Sequence, residues 1–65
     1  MKSATIVYLY RFSKVGNPQE FSIGALMDEN RPLAELIEDA QQQAKAECQA
    51  KMMVFSNLKS IQFSL

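Results

Sequence analysis

Few residues in this chain have the type and spacing that chemistry needs. Cys48 is its only thiol, and histidine is absent from all 65 residues, so no imidazole stands ready to activate that sulfur as a nucleophile. One cysteine also excludes an intramolecular disulfide, and zinc, haem and iron–sulfur sites lose their usual ligands. Glu35, Glu38 and Asp39 crowd three carboxylates into a short stretch, but on a helix such residues read as surface charge before they read as an acid–base pair. Gly16 and Gly24 are isolated, so no phosphate-cradling loop is built from them. Met52 and Met53 are adaptable fillers of a core or an interface, and Cys48, on an apolar helix stripe, is read as a small buried hydrophobe. The expectation is a protein without enzymatic activity, metal or cofactor.

What remains is binding. In Ala4-Thr5-Ile6-Val7-Tyr8-Leu9-Tyr10-Arg11-Phe12, the alternation of a pleated strand puts Ile6, Tyr8, Tyr10 and Phe12 on one side and Val7 and Leu9 on the other. This strand is apolar on both faces, yet the chain has only one good helix to cover it. With Arg11 and Lys14 nearby, the aromatics have the superficial composition of an RNA-stacking sheet. The glycine-flanked aromatic segment of the RNA-recognition motif is missing, however, and seven basic residues balance seven acidic ones. A chain of zero net charge has no general attraction to nucleic acid or to an anionic membrane. The second candidate is acidic: Asp28, Glu29, Glu35, Glu38 and Asp39 stand against Arg31 alone. Acids suit a helix N-terminus, and the same cluster would complement a basic surface on a partner.

The elements that position these residues follow from the pattern. Gly16, Asn17 and Pro18 mark a turn after the first strand, and Phe21, Ile23, Ala25 and Met27 then alternate with Ser22 and Gly24 as a half-buried second strand. Pro32 suits the first helical position, with Asn30 or Arg31 at the cap. Leu33, Leu36, Ile37, Ala40, Ala44 and Cys48 recur at three- and four-residue steps, the stripe of an amphipathic helix running to about Lys51. Met52-Met53-Val54-Phe55 either ends that helix against the core or begins a strand, and Asn57 can end the helix or turn. Ile61, Phe63 and Leu65 alternate with Ser60, Gln62 and Ser64 as the third strand.

A hairpin followed by a helical crossover predicts a single small α+β domain over residues 1–65, a ββαβ unit with a three-stranded antiparallel sheet in the order 2-1-3 and the helix on one face. The first strand is then central. Its faces have two possible assignments. In the one adopted, Val7 and Leu9 join Phe21, Ile23, Met27, Ile61, Phe63 and Leu65 under the helix, leaving Ile6, Tyr8, Tyr10 and Phe12 as an open binding face rich in interface-favoured tyrosine. The other places the aromatics inside. At 65 residues, such a domain is near the size at which burial only just offsets chain entropy, so association gains weight. No stretch reaches the ~18 apolar residues of a membrane span, and an unpaired cysteine with no secretory signal makes the cytoplasm the expected setting.

This layout resembles that of small phage-encoded host-takeover proteins, including RNA polymerase inhibitors and some anti-CRISPR proteins. The matching features are Phe21-Ser22-Ile23-Gly24-Ala25 before the helix, Leu33 to Ala44 within it, and Ile61-Gln62-Phe63-Ser64-Leu65 after it. The resemblance implies a non-enzymatic inhibitor that occludes the surface of a larger host protein, and it carries over no functional residue. The contacts expected from the residues themselves are Ile6, Tyr8, Tyr10 and Phe12, the acidic approach to the helix, or both. The alternatives are a homodimeric assembly protein whose open faces or third strands pair, and a weak single-stranded nucleic-acid binder.

Overall fold

The computed structural model describes residues 1–64. Two strands, β1 (Lys2–Arg11) and β2 (Gln19–Met27), form a hairpin, α1 (Leu33–Ala50) crosses the sheet, and β3 (Val54–Phe63) returns on the far side of β1. The sheet order is β2-β1-β3, and β1 runs antiparallel to both neighbours. The chain has the expected small α+β fold, with its most apolar strand in the middle. No helix among the described residues is long and apolar enough to cross a membrane.

The start of α1 differs from expectation. Pro32 is itself the cap residue, extended at ψ 142°, and its carbonyl accepts the Glu35 and Leu36 N–H groups at 3.0 and 3.2 Å. Proline has no N–H to offer, so nothing is lost by placing it before the first turn. Asn30 and Arg31 lie in a turn closed by Asp28, whose Oδ1 accepts the Asn30 N–H and whose carbonyl accepts the Arg31 N–H.

The helix ends at Ala50, and Met52 takes φ 58°, the left-handed conformation usually reserved for glycine. The Met53 N–H reaches back to the Cys48 carbonyl at 2.8 Å and the Met52 N–H to Gln49 at 3.2 Å, the paired bonds of a Schellman turn. Met52 and Met53 therefore make the turn, and Val54 and Phe55 already belong to β3. Asn57, expected near a helix end, sits inside that strand. The early part of β3 escaped the alternation because its pairing slips twice, between Val7 and Tyr8 and between Leu9 and Tyr10. An extra residue at each slip breaks the period of two. The expected alternating residue Leu65 lies outside the described residues.

The adopted assignment of the β1 faces is reversed. Ile6 and Tyr8 are 0% exposed and Tyr10 8%, packed with Leu36, Ala40, Ala44 and Cys48 of α1. The cause is the hairpin register. Tyr10 pairs with Gln19, so every even-numbered residue of β1 lies opposite an odd-numbered residue of β2: Ile6 with Ile23, Tyr8 with Phe21. Directly paired residues point to the same side, and Ile23, Ala25 and Met27 are on the helix side. Val7 and Leu9 face away from α1. Val7 is still buried there, on the face where Lys59 of β3 pairs with Glu20 of β2 at 2.7 Å, across the central strand.

The helix approaches the sheet closely because its contact residues are small. Ala40 and Ala44 are fully buried above Ile6, Tyr8 and Tyr10, while Leu33 and Ile37, expected on the buried stripe, are exposed beside β3. The helix leans over β1 and β3 and leaves the inner flank of β2 thinly covered, with Phe21 exposed and Ile23 and Ala25 half-buried. An Ala44→Leu substitution forces extra volume into this contact and lowers stability by about 1–3 kcal/mol in chemical denaturation. The same change at exposed Ala46 has little effect.

Candidate functional site

Tyr8 is the hub of the interior. Its ring lies 6.1–6.3 Å from those of Tyr10, Phe21 and Phe55, so β1, β2 and β3 all contribute to one aromatic cluster, which Ala44 and Cys48 of α1 close from above. Tilted contacts at these separations match the preference of aromatic quadrupoles. The Tyr8 hydroxyl is buried with no hydrogen-bond partner of good geometry among the described residues, the Cys48 thiol being its polar neighbour. Burial, with smaller contributions from Cys48, Glu47 and Tyr10, pushes its ionisation up to about 12. Burial likewise pushes the Cys48 thiol up, which suits an inert core residue rather than a reactive one.

Of the expected open-face residues Ile6, Tyr8, Tyr10 and Phe12, three are therefore interior, and the premise that made them a binding face fails. The same burial removes the two tyrosines as a base-stacking platform. Phe12 alone is displayed, 65% exposed, with its ring edge-on to Tyr10 at 5.4 Å.

Phe12 has company that the sequence did not single out. The hairpin end of the sheet, where the connection from Phe12 to Pro18 turns back, also displays Val15, 94% exposed, and Phe21. The Phe21 ring lies 6.0 Å from Tyr10 and carries the Lys51 ammonium 4.4 Å over its face. Next to Lys51 stands Met52, 89% exposed and held outward by its left-handed backbone. Arg11 donates to the Lys14 carbonyl at 3.0 Å, bracing the connection. From Arg11 to Gln19 the only charges are Arg11 and Lys14, both basic. This end of the molecule is apolar at its tips and basic around them.

The acidic cluster expected around the start of α1 lies toward the opposite end, and the structure divides it. Arg31 bridges Glu35 and Asp39, so those two carboxylates are engaged within the molecule. The Asp28 carboxylate caps its own turn, Glu29 is exposed, and Glu38 is exposed one residue, about 100° around the helix, from Asp39. Three carboxylates close in sequence thus do not converge on one point. Among the described residues no group of three or more acidic or cysteine side chains is placed to hold a metal ion.

Tyr8 generates a test of this interior. Replacing it by phenylalanine removes a buried hydroxyl that has no partner, so Tyr8→Phe is at least as stable as the parent at pH 7, by up to about 1 kcal/mol. In the parent, the folded state holds the tyrosine proton more tightly than the unfolded chain. That contribution is intact below the ordinary value of 10.0 and is lost as pH climbs toward about 12. Denaturation midpoints measured from pH 9 upward should fall less steeply in Tyr8→Phe. A variant distinctly less stable at pH 7 would show that the hydroxyl has a partner after all.

Comparison with known proteins adds no relative: no protein-family model matches the chain, and neither a curated protein nor a solved structure is similar to it at a significant level.

Proposed function

We propose that this chain is a non-enzymatic protein-binding module that acts through the hairpin end of its sheet. The observation that carries the reading is Met52. A large apolar side chain stands almost fully in solvent on a residue whose backbone is in the left-handed region, a conformation that costs a non-glycine residue roughly 1 kcal/mol. The left-handed backbone makes the turn, but the large side chain on it does not serve the fold, since glycine would make the same turn more cheaply. At the same end of the sheet, Phe12 and Val15 are 65% and 94% exposed, and exposed apolar groups rimmed by polar ones mark interaction sites. The basic residues around them, Arg11 and Lys14, with Lys51 engaged by Glu47 at 3.0 Å, fit an apolar recess with an acidic rim on a larger protein. In form this is the occluding inhibitor that the likeness to small phage-encoded takeover proteins implies. It retains Phe12 from the expected site and moves the contact from the sheet face to the sheet end.

Two variants test the reading. Phe12→Ser and Met52→Gly both weaken capture of the dominant partner from native lysate by tagged protein. Met52→Gly does so while raising the chain's own stability by about 0.5–1 kcal/mol. Undiminished capture by the combined variant removes the hairpin end from the mechanism.

A further inference from the structure

The two edges of the sheet are not alike. Edge strand β3 is interrupted by two register slips and carries Lys59 at the first of them, both of which discourage pairing with another strand. Edge strand β2 pairs with β1 in unbroken register over its whole length, and from Phe21 to Met27 it contains no charge and no proline. A side chain at Gly24 would meet nothing within 4 Å, so the outer face of β2 is also uncovered. The lean of α1 toward β3 leaves the inner flank of β2, Phe21, Ile23 and Ala25, thinly covered on this side. A long, regular, apolar edge of this kind is a template for strand addition.

Charge at the two ends of β2 identifies what fits there. Beside Gln19 lie Arg11, at the end of β1, and Lys14 in the connection, and beyond Met27 come Asp28 and Glu29, two acids against Lys2 opposite Met27. The single charge within β2, Glu20, is already paired with Lys59. An antiparallel partner strand of the same sequence sets the basic end of each copy against the acidic end of the other, twice over, and zero net charge opposes the meeting of two copies with no general repulsion. A two-fold axis perpendicular to the sheet also keeps both helices on one side, so the inner flanks of the two β2 strands adjoin.

We infer that β2 pairs antiparallel with β2 of a second copy, forming a six-stranded sheet across a two-fold axis. This edge lies along the side of the sheet, whereas Phe12 and Met52 lie at its end, so the pairing goes beyond the partner-binding role and stands or falls separately from it.

The test is made on the intact chain. Light scattering after size exclusion reads twice the mass of one chain at high concentration, and added salt shifts the equilibrium toward single chains. Amide exchange within Gln19–Met27 slows as concentration rises, while exchange in Val54–Phe63 does not change. Lys14 and Glu29 are exposed, so reversing their charge spares the fold. Lys14→Glu and Glu29→Lys each weaken association about tenfold through two symmetric contacts, and both changes in one chain restore it. A single chain at every concentration overturns the inference. So does concentration-dependent protection on β3 in place of β2, or a combined variant that fails to restore association, since the antiparallel end-to-end arrangement requires that rescue.

Discussion

One helix can cover one face of a sheet, and nearly everything else in this molecule follows from how α1 does so. The contact is a row of small residues, Ala40, Ala44 and Cys48, laid against the largest side chains of the central strand, Ile6, Tyr8 and Tyr10. Small against large lets the helix and the central strand pack closely, as interiors generally do. It also lets a chain of 65 residues bury Tyr8 and Tyr10 at the centre of an aromatic cluster, in a size range where core volume is scarce. The orphan hydroxyl of Tyr8 is tolerated because its ring fills the one position where three strands and the helix meet.

That choice of face determines what is left outside. The tight Schellman turn at Met52 returns the chain directly from α1 into β3, which ties the C-terminal end of the helix to that side of the sheet. The β2 side is consequently thin. At the hairpin end, where the strands outrun the compact core, Phe12, Val15 and Met52 are displayed rather than buried. The sheet face opposite the helix is mostly polar or small, with Ser3, Thr5, Ser22, Gly24, Ser60 and Gln62 around Val7. Of the large apolar residues on that face, Val7 is buried and Leu9 half-buried, while Leu26 is 65% exposed.

Much of the architecture was legible in the sequence because local signals agreed with one another. Gly16-Asn17-Pro18, the alternation of Phe21 to Met27, Pro32 and the Leu36-Ala40-Ala44-Cys48 stripe each point to the observed element. What was not legible depended on parity and on irregularity. Which side of β1 faces inward is set by the pairing of Tyr10 with Gln19, and a shift of one residue would exchange the two sides completely. A strand apolar on both faces gives no composition signal to decide it, so Ile6, Tyr8 and Tyr10 were placed outside. The first half of β3 was hidden by its two slips. The hairpin-end surface was seen only as Phe12, because Val15 lies in a turn and Met52 resembles core filler until its backbone conformation is known.

The face assignment is the claim on which the location of every surface depends, and proton–proton contacts in solution read it directly. Nuclear Overhauser spectra of the labelled chain should show cross-peaks from the Tyr8 ring to the Ala44 methyl and the Cys48 β-protons, and none from the Val7 or Leu9 methyls to any α1 side chain. Cross-peaks from Val7 and Leu9 to Ala40 or Ala44, with the Tyr8 ring silent toward the helix, would contradict the account.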